Sequence, residues 1–401
     1  MSKESRATLF RERENEDGAK VTNIELFFDL VFVFAITQLS HRLYGHLTLW
    51  GVLETLVLFL GVWWAWINTC WVTNWLDPET PVVRIFLMVL MLIGLVVSSG
   101  VTNAFSSAGT MFAWAYAMFQ IFRTLFMLWA LRGVNPENYR NFQRIFVWML
   151  ASAIFWIIGA TFEGHARLVP WAVAVAIEFI GPAISFRTPG LGKSSSEDWD
   201  IAGGHVAERC SGFIIIALGE AMLITGATLS KLDHDWTTSL AFISAFVASA
   251  AMWWLYFDVG AKRGSAHIEN ADDPGSVALN AYTYLHMPIV AGIIVAAVSD
   301  AMVLSKPLEP ASWPYAAVTL GGPALYVFGT ALFKRTTSKM NWLPVSHMVG
   351  LGLLMAASAA VPFVTSLALS LIATATLIVI ALWEREALRR YPELAEAEPA
   401  A

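Results

Sequence analysis

Charge is scarce in this 401-residue sequence. Asp, Glu, Lys and Arg make up 14% of it, against roughly 25% in an ordinary soluble domain, and that shortage excludes a water-soluble globule. The net charge of -6 argues against nucleic acid as a partner, which needs a basic surface. Cysteine is nearly absent: Cys70 and Cys210 both sit in apolar runs and give neither a disulfide framework nor a paired-cysteine metal site. Enzyme signatures are missing as well. No His-Glu-x-x-His, no Gly-x-Ser-x-Gly and no His/Cys set at metal-ligand spacing occurs. The string GLGKSSS at 190–196 looks like the end of a phosphate loop, but Arg187 stands where its first glycine is required. No catalysis, cofactor or metal is therefore expected.

What the sequence has instead is apolar surface: 57% hydrophobic residues, with 18 Trp and 25 Phe, more than one core of this length could hide. Runs of about 20 apolar residues, the length that crosses about 30 Å of hydrocarbon as a helix, can be counted at 22–43, 48–72, 82–104, 111–132, 142–162, 168–186, 204–229, 237–260, 276–303, 313–334, 342–361 and 364–386. The expected fold is an all-α polytopic membrane protein of about twelve transmembrane helices. Residues 1–20 are highly charged with no apolar core and read as a cytoplasmic tail, not a signal peptide; residues 391–401 are acidic, Ala-rich and expected to be disordered. Counted loop by loop, Lys and Arg number 19 on the side of the termini and 4 opposite, with Arg123 and Arg209 inside spans. By the positive-inside rule both termini face the cytoplasm.

Landmarks recur in order between the halves. WWAWIN (63–68) in helix 2 answers WWLYFD (253–258) in helix 8, bringing Asn68 and Asp258 into equivalent places; Glu25 answers Glu208, Met91 answers Met287, and Arg132 answers Arg335. A duplication is expected, with a first six-helix repeat at 21–186, a cytoplasmic linker at 187–203 and a second repeat at 204–390. Six is even, so the repeats run parallel, about an axis along the membrane normal, and any pathway would lie between them, lined by helices 1 and 7.

Ionisable groups at membrane depth are functional hypotheses by default. In helix 1, Glu25 and Asp29 are four apart and share a face. Two buried carboxylates so close repel, so one must hold a proton or be matched by a cation or an arginine: either a proton- or cation-binding site, or an anchor paired with loop arginines such as Arg84 or Arg144. In helix 7, His205 and Arg209 share a face, and Glu220 lies three turns further, about 16 Å deeper, where an isolated carboxylate must be protonated, hydrogen-bonded or ion-paired: either a pathway group or a packing hydrogen bond across the interface between the halves. Arg123 in helix 4 demands an acidic partner, with Glu178 in helix 6 and Asp258 in helix 8 as candidates. Glu54 could simply reach the interface. His286 with Pro288 in helix 9 marks either a kinked gating helix or a hydrogen-bonded packing histidine. Gly94 and Ser98 in helix 3, and Gly350, Gly352 and Ala356 in helix 11, fit close helix packing.

The strings VTNIELFFDLVFVFAITQLSHRL (21–43) and HVAERCSGFIIIALGEAMLITGATL (205–229), with the Trp-rich helix 2 between them, closely resemble the bacterial low temperature requirement protein A family over 20–390. The most specific pieces carry Glu25 and Asp29, then Glu208, Arg209 and Glu220. The sequence departs in helix 7, where Cys210, Ser211 and Gly212 replace an aromatic-Gly-Leu run. The resemblance implies a multi-pass inner-membrane protein linked to growth in the cold and supplies no molecular activity. Residues 27–37 are also similar to the first helix of the endolysosomal and bacterial potassium channels built from six-helix repeats, though Phe28 stands where those have serine and helix 7 lacks the motif.

The function expected first is a transporter or channel for a small ion or solute, with a small cation or proton as ligand and Glu25, Asp29, His205, Glu208, Arg209 and Glu220 near its path. Two alternatives stand beside it: a membrane assembly protein whose buried polar groups only fix packing, and an intramembrane enzyme or lipid-homeostasis protein that adjusts the bilayer in the cold. The bilayer is a partner in every case; the sequence leaves oligomeric state open.

Overall fold

A computed structural model describes residues 3–11, 20–194, 201–232, 235–258, 260–338 and 342–390, apart from the side chain of residue 388. The predicted tail at 391–401 and most of the 187–203 linker's second half lie outside the described residues. Twelve helices among them are long and apolar enough to cross a membrane, so the chain is a multi-pass, all-helical membrane protein in contact with the lipid bilayer. They are α1 (Asn23–Gly45), α2 (Leu49–Trp75), α3 (Pro81–Gly100), α4 (Gly109–Leu131), α5 (Pro136–Ala160), α6 (Gly164–Ala183), α7 (Gly203–Leu229), α8 (Trp236–Glu269), α9 (Pro274–Ser305), α10 (Trp313–Thr336), α11 (Val345–Phe363) and α12 (Ser366–Ala387).

Each helix starts where local chemistry permits. Thr22 and Glu25 form the glutamate half of a capping box at α1: the Thr22 N–H and hydroxyl both donate to Glu25 Oε2 at 2.9 Å, satisfying a donor the helix leaves orphaned. Asn135 accepts from Glu137 N and Asn138 N ahead of α5, so that helix begins six residues before its apolar run. Asp235 accepts from Thr238 N at 2.7 Å ahead of α8, and this backbone hydrogen bond holds its carboxyl below the usual carboxylate range. The α8 span runs on past its apolar run to Glu269, carrying about two and a half polar turns beyond the expected end.

The chain divides into two compact units, one of Met1–Arg42, Leu49–Arg209 and Asp273–Ser276, the other of Leu43–Thr48, Cys210–Asp272 and Val277–Ala401. The first is built on aromatic packing: Trp63, Trp64, Trp66, Trp156 and Trp171 are all buried, with Trp156 in contact with Tyr116, Phe112 and Trp171. In the second, small residues let two backbones meet. A Cβ at Gly292 of α9 would lie 2.5 Å from Tyr326 N of α10, and one at Gly322 would lie 2.6 Å from Ala296 N; only glycine allows this approach.

The small residues expected to pack do so only in part. Gly94 faces Val31 and Ser98 donates to the Val31 carbonyl, and Gly350 abuts Ile380. Gly352 and Ala356 are exposed, on the other side of α11 from Gly350, because residues two and six further along a helix point away from it. The two Trp pairs also differ in setting: Trp63 and Trp64 are 2% and 1% exposed, Trp253 and Trp254 46% and 40%. One pair is core and the other faces outward.

Candidate functional site

In the first unit the start of α1 supplies Glu25 and Asp29, both 0% exposed. Their facing partners come from three directions. Arg209 of α7 donates through Nη1 to Glu25 Oε1 at 3.0 Å and through Nη2 to Asp29 Oδ1 at 2.5 Å, and through Nη1 also to Thr73 Oγ1 at 3.2 Å. Arg11 donates through Nη2 to Glu25 Oε2 at 2.9 Å. Its Nε donates to the Thr73 and Leu76 carbonyls at the end of α2. Those carbonyls are orphans of the helix terminus, which is why a cation belongs there. Trp66 Nε1 completes the set, donating to Asp29 Oδ1 at 2.7 Å.

The tautomer of His205 follows from its neighbours. Asn74 is fixed by the backbone of Ala202, whose N–H donates to its Oδ1 and whose carbonyl accepts from its Nδ2, both at 2.9 Å. Nδ2 therefore also points at His205 Nδ1, 3.2 Å away, and that ring nitrogen accepts. A neutral ring then carries its proton on Nε2 and donates it to Glu25 Oε1 at 2.8 Å. With His205 neutral, two carboxylates face two guanidinium groups and the buried cluster has no net charge.

Within this balance the two acids differ. Glu25 accepts from Arg11, Thr22, His205 and Arg209 with both oxygens used, and its capping-box bond gives it a local structural task. Asp29 has none. Its Oδ1 takes two donors, while Oδ2 is buried with no hydrogen-bond partner among the described residues, as is Arg209 Nε. A buried carboxylate oxygen left open is costly, and it has the valence to take a proton or a small cation. Asp29 lies about 9 Å along α1 from its first residue, within one end of the span.

The arginines proposed as anchors are engaged elsewhere: Arg84 pairs with Glu79 and Arg144 Nε donates to the Leu191 carbonyl. Compensation comes instead from Arg209, already in the spans, and from Arg11, which belongs to the segment read as tail. Glu208 is exposed and accepts from Val21 N at 3.2 Å, beside the cluster. Glu220, on the second unit's part of α7, is half-buried.

A second buried carboxylate, Glu178 of α6, accepts from Ser152 Oγ at 2.6 Å, Tyr116 Oη at 2.8 Å and Trp156 Nε1 at 3.2 Å. Arg123 forms no direct ion pair with it among the described residues, contrary to expectation. Its Nη1 donates to the Ala65 carbonyl at 3.1 Å, its guanidinium lies over the Phe119 ring, and Glu178 acts on it through space. Asp258, the other candidate partner, is exposed. Asn68 donates back to the Trp64 carbonyl of its own helix, a local bond that involves no ligand.

His286 is a packing histidine. Its Nε2 is 2.7 Å from Tyr256 Oη and its Nδ1 3.0 Å from the Ala281 carbonyl. The irregularity beside it is a π-helical turn, Ala278–Tyr284, on the other side of His286 from Pro288. Arg42, His165 and Asp300 carry no local sequence signal that singles them out. Arg42 pairs with Glu54, which also meets His165 Nδ1 at 2.5 Å, at the far end of α1; Glu54 is 2% exposed. Asp300 of α9 is 8% exposed and has no cation within ion-pair distance among the described residues. None of these groups assembles three metal ligands: among the described residues no cluster of three His, Cys, Asp or Glu could hold an ion.

Comparison with known proteins agrees with the motifs at the start of α1 and α7. The family model for bacterial low temperature requirement A protein (LtrA) matches residues 20–382. A protein of Rhizobium meliloti (strain 1021), described as uncharacterized, is 40% identical over 383 residues, covering 95% of this chain and 93% of that protein. No solved structure matches the chain significantly. With a family model spanning nearly its whole membrane region and that relative over nearly its whole length, the chain belongs to the bacterial low temperature requirement A protein family.

Proposed function

We propose that this chain is a transporter or channel for a small ion or solute in the bacterial inner membrane, with both termini cytoplasmic, and that Asp29 is the group that takes the migrating proton or cation. The observation that carries the reading is the open Oδ2 of Asp29 inside an otherwise balanced ion cluster. In this arrangement Arg209 locks α1 to the start of α7 through both acids. A proton or cation arriving at Asp29 removes half of that attraction, and Arg209 is released from one of its two carboxylates without stranding Glu25, which keeps Arg11. Ionisable residues retained in membrane spans commonly serve such pathways, and Glu220 is a second carboxylate further along α7.

A second reading has its own observation in support. The charges of the cluster balance, and Glu25 is tied into a helix cap, which is what a packing device in a membrane assembly protein requires. No catalytic role is proposed. The two readings separate in proteoliposomes. Transport predicts proton, sodium or potassium flux above empty vesicles, reduced by Asp29→Asn and by Glu220→Gln. Wild-type flux no greater than that of empty vesicles for all three ions refutes it.

A further inference from the structure

The second unit holds a cationic cluster that the transport reading does not use. Lys334, in the last turn of α10, donates to both carboxylate oxygens of Glu384 in α12, at 2.7 and 2.6 Å. Its stem runs against Gly260 of α8, where a Cβ would lie 3.1 Å from Lys334 Cε. Arg263 lies one turn beyond Gly260. It feels the charge of Glu384, yet its Nε and Nη2 are buried with no hydrogen-bond partner among the described residues. His347, in the first turn of α11, is 0% exposed; it feels the charge of Lys334, and its Nε2 is likewise without a partner among the described residues.

Two cations face one carboxylate whose oxygens Lys334 already occupies. The cluster therefore carries an excess positive charge and at least two guanidinium donors with nothing to donate to. Buried donors of this kind are costly unless filled, and the planar guanidinium fits an anion with several acceptor oxygens, phosphate above all. The depth points to the source. All four residues lie within two turns of the ends of spanning helices, near the level of lipid headgroups. Trp342 and Trp383, both exposed, flank the same helix ends with the amphipathic rings that favour the interface. Basic pockets between helices at this level hold anionic lipid headgroups.

We propose that Arg263, Lys334 and His347 form a binding site for the phosphate of an anionic phospholipid, with Glu384 holding Lys334 in place and limiting the affinity. The site is independent of the Asp29 cluster and of any transported ion. The test uses the full chain purified in neutral detergent, with lipid retention read by native mass spectrometry and stability by tryptophan fluorescence. Phosphatidylglycerol, whose phosphate charge no choline cation cancels, is retained about tenfold better than phosphatidylcholine, a difference on the scale of one charge-assisted bond, and Arg263→Gln removes the preference. Glu384→Gln, which removes the competing charge, increases retention, an effect that a purely structural ion pair would not give. Equal retention of the two lipids by the wild type, an unchanged preference in Arg263→Gln, or no gain in Glu384→Gln overturns the proposal. Inorganic phosphate leaves the melting temperature of lipid-free protein unchanged; stabilisation equal to that by phosphatidylglycerol would overturn the lipid as the source.

Discussion

Replacing Arg209 with methionine keeps most of the side-chain volume and removes the charge. The loss follows from its contacts: hydrogen bonds to Glu25, Asp29 and Thr73 disappear, and a cluster that was neutral keeps two carboxylates against Arg11 alone. Breaking a fully buried pair by removing one partner costs about 3–5 kcal/mol, so Arg209→Met is expected to lose that much. The second substitution tests the cause. Asp29→Asn keeps an acceptor for Trp66 Nε1 and removes the stranded charge, so Arg209→Met with Asp29→Asn is neutral again, Glu25 facing Arg11. The double variant should be more stable than the sum of the single losses predicts, with a coupling of about 2 kcal/mol, within the range for residues in direct contact. Unfolding of the four proteins in mixed micelles, followed by tryptophan fluorescence, measures the cycle. Additive losses would refute the argument that charge balance, not packing volume, holds the cluster together.

At the opposite end of α1, Arg42→Met leaves Glu54 buried with only His165 and should cost about 3 kcal/mol or more, read from the same unfolding assay. Gly292→Ala forces α9 and α10 apart against backbone and should cost about 1–3 kcal/mol, whereas Gly352→Ala, with nothing within 4 Å, should be neutral or slightly stabilising; thermal melts of the two compare them directly. Asp235 caps α8 with a carboxyl held below its usual range. Its contribution is therefore complete above about pH 4, the value of an unperturbed Asp, and is lost as pH falls through the lower folded value. Asp235→Ala and the wild type should differ in melting temperature at pH 7 and converge at strongly acidic pH.

The spans were legible because hydropathy over about 20 residues is a property of composition, and it survives errors of several residues at each end. Helix starts were less legible. The Thr-x-x-Glu signature at Thr22 and Glu25 stands in the sequence, but Asp29 four residues on makes Glu25 look like half of an acid pair and masks its capping role. The acids of α1 and the cation of α7 were each visible as ionisable residues in apolar runs. Their pairing was not, because 180 residues separate Arg209 from Asp29 and no local pattern encodes it. Arg11 and Arg42 were hidden by counting: both entered the tally of flanking charge, yet each reaches inward to a buried carboxylate. Arg123 failed for a different reason. A buried guanidinium needs acceptors, not necessarily a carboxylate, and the Ala65 carbonyl and a Phe119 ring face were available. Asp300 escaped notice because one acid barely lowers the hydropathy of a run such as IIVAAVSDAMVL.

The claim that Asp29 is more than a packing residue rests on separating flux from stability. The most direct measurement is ion flux through Asp29→Asn proteoliposomes compared with wild type at equal amounts of folded protein, with the melting temperature of each preparation taken alongside. Flux above that of empty vesicles in the wild type, falling at least tenfold in Asp29→Asn while the folded protein remains, is the predicted result. Flux absent from the wild type, or unchanged in a folded Asp29→Asn, would contradict it.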